Sequence, residues 1–141
     1  MSELIVSSRP DLRRPVLLAG FRGWNDGGQG ASLAAGYIVA NDIEPQTLAD
    51  GARTVSLGWH NWVILKDSLA GIVEVPEENI ARAVRLLFEL ANLKAEPTGA
   101  LSLAAVLTDP GCFRDQEVCC VISGGNVDPA VYGEILRTGR F

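Results

Sequence analysis

The sequence has few cysteine, histidine and lysine residues: its 141 residues include three cysteines, one histidine and two lysines. Cys119 and Cys120 are adjacent and Cys112 stands apart, so no CxxC spacing typical of a zinc site is present. His60 is isolated and adds no second ligand. We therefore expect no metal site, and we expect the thiols to be buried as small hydrophobic groups.

Long apolar runs are also missing, because no window reaches the ~18 uncharged apolar residues of a membrane-spanning helix. The first residues, MSELIVSSRPDLRR, lack the charged-then-apolar order of a signal peptide. The net charge of −5 argues against a surface that binds nucleic acid or anionic lipid. These features predict a cytoplasmic protein with no nucleic-acid or membrane partner.

A standard phosphate-binding motif is absent as well. Residues 20–30 are rich in glycine and lie between a predicted strand and a predicted helix, which is the order found in phosphate-binding turns. However, the segment has no Gly-Lys-Ser/Thr ending and its glycines do not fit GxGxxG. Phosphate binding is therefore the less favoured interpretation of this loop.

The hydrophobic pattern predicts alternating strands and helices in a chain long enough for one domain. One stripe of apolar residues at helical spacing comprises Ile80, Val84, Leu87, Phe88 and Ala91. The order predicts an α/β fold, a layered αβα sandwich with a mostly parallel sheet. The predicted strands are 4–7, 15–20, 71–75 and 117–122, and the predicted helices are 31–39, 62–69, 77–93, 100–108 and 128–138.

The segment 118–136 is the most informative part of the chain. An apolar run from Val118 to Ile122 ends in Ser-Gly-Gly-Asn at 123–126, and Asp128-Pro129 then opens a helical pattern. A serine at the end of a buried strand can aim its hydroxyl at one ligand atom. The alternative is an ordinary connection between a strand and a helix, in which these residues are only turn and helix-start signals.

Residues from about 37 to 141 resemble the C-terminal part of the threonine dehydratase and serine racemase family, which are pyridoxal-phosphate enzymes of fold type II. The resemblance is carried by four segments in the family's order: PQTLADGARTVSLG (45–58), GIVEVPEENIARAVRLLFELANL (71–93), EPTGALSLAAVL (96–107) and VISGGNVDP (121–129). It implies pyridoxal phosphate as the cofactor and a partial fold type II domain.

The resemblance also implies roles for six residues: Ser123, Gly124, Gly125, Asn126, Glu96 and Gly51. Ser123 would donate a hydrogen bond to the pyridine nitrogen, and a neutral hydroxyl there suits elimination from serine or threonine. Gly124 and Gly125 would allow close backbone approach, and Asn126 would hold the turn. Glu96 and Gly51 would lie near the pocket. For Glu96 a structural role at a helix start remains open, and Asp50 is better read as a turn former.

The family's catalytic lysine lies in a Ser-x-Lys-x-Arg-Gly motif, which this chain lacks. Neither Lys66 nor Lys94 stands in such a motif. The family's phosphate-binding glycine loop and its metal-binding acidic segment are missing too. We therefore predict no catalytic residue and no dehydratase activity for the chain alone, because the covalent anchor and main proton-transfer base are gone.

Residues 1–36 resemble the N-terminus of the proteasome-assembly-chaperone-like family, most distinctly at LRRPVLLAGFRGWND. The chain thus looks like a fusion of two segments, 1–36 and 37–141, within one compact domain. An uncovered apolar face implies self-association or a complementing N-terminal dehydratase fragment as partner. The alternative functions are a protein-interaction module and a non-catalytic domain that binds small molecules.

Overall fold

The computed structural model describes the backbone of residues 16–21 and the whole of residues 29–138. The predicted strand 4–7 lies outside this part. The elements are β1 (Val16–Phe21), α1 (Gln29–Ala35), α2 (Trp59–Leu65), β2 (Leu69–Val75), α3 (Glu77–Ala91), α4 (Leu101–Thr108) and α5 (Pro129–Thr138). Two short 3-10 turns, Asp50–Ala52 and Thr98–Ala100, complete the described part.

Strands β1 and β2 pair in parallel, with Leu17 opposite Gly71 and Phe21 opposite Val75. A register shift lies between Val16 and Leu17. Helix α4 packs against both strands and against α3, and α5 packs on α3. The predicted α/β class and the parallel pairing are therefore confirmed, although the sheet has only two strands among the described residues.

Helix α3 carries the largest share of the core. Ile80 and Val84 are fully buried and Leu87 nearly so, as the apolar stripe predicts. The prediction is wrong for the last turn, where Phe88 is 46% exposed and Ala91 is exposed. Phe88 contacts the Tyr132 ring in a T-shaped arrangement, with 6.1 Å between the ring centroids.

Helix α3 ends at Ala91 rather than at the predicted 93, because Asn92 adopts the left-handed conformation with φ 53° and ψ 33°. The Leu93 N–H then donates to the Leu87 carbonyl at 3.0 Å, a hydrogen bond that closes the end of the helix. Asn tolerates this conformation, but Gly adopts it without the Cβ penalty.

We expect Asn92→Gly to raise the free energy of unfolding by about 0.5–1 kcal/mol, measured by urea denaturation. Asn61→Gly is the matched control, since Asn61 is exposed inside the right-handed helix α2. The control should lose stability by up to ~1 kcal/mol. A loss of stability in both variants would contradict the role given to the Asn92 cap.

Helices α1 and α2 differ from the prediction at both ends. Helix α1 begins at Gln29 and stops at Ala35, because Gly36 takes a positive φ of 78°. Helix α2 begins directly after Gly58 and covers Trp59–Leu65 rather than 62–69. Its buried residues, Trp62 and Leu65, form a small second cluster with Leu57.

The predicted strand 117–122 is wrong: residues 116–128 are neither helix nor strand. A strand requires a neighbour for its backbone ladder, and the only ladder in the described part joins β1 to β2. The segment is instead held by single hydrogen bonds, one of which runs from the Ser102 hydroxyl to the Val121 carbonyl at 2.7 Å. Its apolar residues are correspondingly half-buried or exposed.

The cysteines also differ from the prediction. Cys112 and Cys119 are exposed, and Cys120 is half-buried. Burial raises the pKa of the Cys120 thiol, the adjacent Cys119 raises it further, and a hydrogen bond with Ser102 opposes the shift. The Cys120 thiol is therefore protonated at neutral pH.

Candidate functional site

The turn 123–126 lies against the segment that leads into α4. The Ser123 N–H donates to the Gly99 carbonyl at 3.4 Å, and the Glu96 N–H donates to the Gly124 carbonyl at 3.2 Å. Two antiparallel backbone contacts of this kind hold the turn without a strand ladder. The site is therefore built from two loops, each positioned by the helix that follows it.

The carboxylate of Glu96 closes the turn. Its Oε2 accepts the Asn126 N–H at 2.9 Å, a charge-assisted hydrogen bond. Its Oε1 lies 2.5 Å from the place where a Cβ on Gly124 would sit, and Gly124 has a φ of 69°. The Glu96 carboxylate thus contacts the turn rather than the helix start of the structural interpretation, and its position near a cofactor pocket stays a prediction. Asn126 holds the turn, as expected, but through its backbone.

Close backbone approach accounts for two further glycines. A Cβ on Gly125 would lie 2.7 Å from the Lys94 carbonyl oxygen. A Cβ on Gly99 would lie 1.5 Å from the Ser123 carbonyl oxygen, which leaves no room for any side chain. Sequence reasoning missed Gly99, because Pro97-Thr98-Gly99 has the ordinary composition of a helix start. Nothing in these three residues indicates that the backbone of Ser123 packs against Gly99.

Gly51 contacts Thr98, which lies in the same segment as Glu96 and Gly99. Its N–H donates to the Thr98 hydroxyl at 3.0 Å and also to the Asp50 carboxylate at 2.8 Å. The second bond makes Asp50 a turn former, as predicted from its residue type. Thr98 directly precedes Gly99, so all six predicted residues lie around one pair of loops. Their roles toward a cofactor stay predictions.

Ser123 is half-buried at the centre of this arrangement. Within residues 29–138 no hydrogen-bond partner for its hydroxyl is found, whereas its N–H is occupied by Gly99. A hydroxyl on a turn that is fixed on both sides is preorganised to donate to, or accept from, one ligand atom. This is the chemistry the site can offer.

Neither lysine ammonium is directed to that hydroxyl. The Lys66 ammonium lies 3.7 Å from the Asp67 carboxylate, with 45% of its side chain exposed. The Lys94 ammonium lies 6.0 Å from the centroid of the Tyr132 ring. Burial raises the pKa of the Tyr132 phenol, and its buried hydroxyl has no hydrogen-bond partner in the described part.

The described residues also bear on metals and membranes. No group of three or more His, Cys, Asp or Glu side chains in this part could hold a metal ion. Among the helices of residues 29–138, none has the length and apolar run needed to span a bilayer.

Comparison with known proteins gives a consistent result. The model of the family described as "Pyridoxal-phosphate dependent enzyme" matches residues 28–124. The L-threo-3-hydroxyaspartate ammonia-lyase of a Pseudomonas species is 36% identical over 113 residues, covering 80% of this chain and 34% of that protein. Human serine racemase is 38% identical over 100 residues, covering 69% of this chain and 29% of that protein.

Solved structures agree with the family match. The crystal structure of a threonine deaminase from T.th. superposes with a TM-score of 0.74 at 42% identity, covering 81% of this chain and 40% of that chain. Maize serine racemase gives a TM-score of 0.72 at 28% identity, covering 87% of this chain and 38% of that chain. The predicted boundary near residue 36 and the chaperone-like origin of the residues before it stay predictions.

The chain spans about a third of the length of the curated relatives it matches. The family match nevertheless covers more than half of the chain, from the start of α1 to the turn at Ser123 and Gly124. The superpositions extend the agreement to the path of the backbone. The chain thus belongs to the pyridoxal-phosphate dependent enzymes and has the α/β architecture of fold type II.

Proposed function

We propose that this chain is the part of a threonine or serine dehydratase-type enzyme that contacts the pyridine ring of the cofactor, and that alone it has no ammonia-lyase activity. The observation that carries the proposal is the half-buried Ser123 hydroxyl, which has no partner among the described residues and stands on a turn fixed by Glu96 and Gly99. The named relatives, an ammonia-lyase and serine racemases, support the reaction class.

The residues present fit only part of pyridoxal phosphate. The Ser123 hydroxyl suits the pyridine nitrogen, whereas the positions that a Cβ would take on Gly124 and Gly125 lie against the Glu96 carboxylate and the Lys94 carbonyl and offer no space to a flat ring. The covalent anchor does not fit, because Lys66 extends toward Asp67 and Lys94 toward Tyr132. When bound in a complete site, the cofactor acts as the electron sink of the reaction. No reaction step is assigned to this chain alone.

The absence of activity is tested with purified protein and pyridoxal phosphate. After borohydride treatment we expect no adduct concentrated at Lys66 or Lys94, and no ammonia released from serine or threonine. A stoichiometric adduct mapped to either lysine, removed by Lys66→Ala or Lys94→Ala, would mean that the chain has rebuilt a covalent site. The proposal of inactivity would then be rejected.

A complementing fragment is the proposed partner. Co-expression with a threonine deaminase whose C-terminal third has been deleted should restore ammonia release from threonine. Ser123→Ala should lower the restored rate at least ~10-fold, since the ring nitrogen loses its only proposed partner. Ser68→Ala is the control, because the Ser68 hydroxyl bonds only the Ile64 carbonyl at the exposed end of α2. Equal rates in the two variants would remove Ser123 from the site.

The compartment is also part of the proposal. We place the protein in the cytoplasm, which is supported by three cysteines that are all unpaired.

A further inference from the structure

We infer that Glu77, the first residue of α3, is a positioning residue for the turn 123–126. It makes no described contact with the turn itself. Its effect passes through the segment 47–53 and through Thr98. This inference rests on the proposed function, because the turn matters only if Ser123 contacts a ligand.

The first step is the contact between Glu77 and the segment 47–53. Glu77 Oε1 accepts the Thr47 hydroxyl at 2.5 Å, and Oε2 accepts the Leu48 N–H at 2.8 Å. Both oxygens of one half-buried carboxylate therefore bind one site about 30 residues away in sequence. Neighbouring Glu78, in the same helical turn, is exposed and makes no described hydrogen bond.

The second step is the rigidity of the segment itself. The Thr47 hydroxyl also accepts the Ala49 N–H at 3.1 Å, and the Thr47 carbonyl accepts two bonds from the Arg53 guanidinium, at 2.7 and 3.2 Å. Thr47 and Ala49 are buried. The segment has no strand ladder, so these side-chain hydrogen bonds determine its path. Glu77 anchors the Thr47 end of the segment from outside, and Thr98 contacts it at Gly51.

The third step leads to the turn. The segment places the Gly51 N–H at 3.0 Å from the Thr98 hydroxyl. A Cβ on Gly51 would lie only 3.1 Å from the same oxygen, so the packing is close as well as polar. Thr98 is followed by Gly99, whose backbone lies directly against Ser123. A displacement of the segment 47–53 is therefore transmitted to Ser123 through two adjacent residues.

The charge and both oxygens of Glu77 are needed for this anchor. An amide in its place keeps one oxygen for the Leu48 N–H, but its NH₂ group can only donate to the Thr47 hydroxyl. Glu77→Gln therefore replaces two charge-assisted bonds by weaker neutral ones and reverses one of them, without changing the side-chain volume. Glu78→Gln is the matched control, because it removes the same charge from the same helix end.

The test follows the amide signals of the labelled chain by two-dimensional NMR. We expect Glu77→Gln to shift the signals of Leu48 and Gly51 and, beyond them, those of Gly99 and Ser123, whereas Glu78→Gln leaves all four in place. If the shifts stay within 47–49 and 77–80, Glu77 only stabilises the fold locally and the inference is overturned. If Glu77→Gln fails to fold, Thr47→Val is measured instead, because it removes one partner of the same carboxylate. Shifts that reach Gly99 and Ser123 would support the inference, and shifts confined to 47–49 and 77–80 would overturn it.

A binding measurement separates this inference from the proposed function. With pyridoxal phosphate as the probe, Glu77→Gln should weaken binding about threefold or more relative to Glu78→Gln. No binding by the unmutated chain would count against the proposed function, while the amide shifts would still decide the role of Glu77. Binding that is equal in both variants, with Ser123 shifted, would overturn the positioning role.

Discussion

In the variant Gly99→Ala we expect the free energy of unfolding to fall by about 2–3 kcal/mol. The new Cβ would lie 1.5 Å from the Ser123 carbonyl oxygen, and both atoms belong to backbone-fixed positions. Because non-bonded heavy atoms settle near ~3.5 Å, the two loops must separate by more than ~1 Å. The hydrogen bond from the Ser123 N–H to the Gly99 carbonyl, at 3.4 Å, is lost in that movement.

Gly133→Ala is the matched control for this prediction. Gly133 lies within α5, and a Cβ added there meets nothing within 4 Å. That substitution should raise stability by about 0.5–1 kcal/mol through helix propensity. Chemical denaturation of both variants measures the difference. If Gly99→Ala is as stable as the control, the turn 123–126 does not lie against the segment 96–99.

The second large effect concerns Gly124 and its carboxylate neighbour. Gly124→Ala should cost about 2–3 kcal/mol of unfolding free energy for two reasons. A φ of 69° is unfavourable for alanine by ~1 kcal/mol or more, and the added Cβ would lie 2.5 Å from Glu96 Oε1. The steric part comes from overpacking. It should disappear when the Glu96 carboxylate is removed.

A double-mutant cycle separates these two parts. Glu96→Ala alone should cost ~1 kcal/mol, because the exposed Asn126 N–H loses its charged acceptor and bonds water instead. The double variant should then be more stable, by roughly 1 kcal/mol, than the sum of the two single losses predicts. Gly125→Ala is the control, because its Cβ would meet the Lys94 carbonyl oxygen, which Glu96→Ala does not move. Equal coupling for both glycines would contradict the packing described here.

Much of the fold could be predicted from local sequence signals. Helix α3 begins directly after Pro76, β2 contains the predicted 71–75, and α5 begins at Pro129, each at a residue that favours that position. The run 118–122 could not be assigned correctly in the same way. Its residues suit a strand, but a strand also depends on a neighbour elsewhere in the chain, and residue type contains no information about that neighbour.

The candidate site was predictable as a set of residues but not as a set of contacts. Resemblance placed Ser123 and Glu96 near one pocket, and the structure brings them to the same turn. The tight fit of Gly99 and the anchor between Glu77 and Thr47 were not predicted. Both join residues that are distant in sequence, and each partner taken alone has an ordinary local explanation as a helix start or a turn.

The parallel pairing of β1 with β2 has a consequence for the synthesis of the protein. Residues 22–68 separate the two strands, so β1 leaves the ribosome well before β2, its partner in the described part, has been made. At translation rates of about 5–20 residues per second, its backbone waits several seconds with unpaired edges. Non-local pairing of this kind is also slow once the chain is complete. We therefore expect the yield of soluble protein to increase when expression is slowed or cooled, because fewer nascent chains then meet one another during that interval.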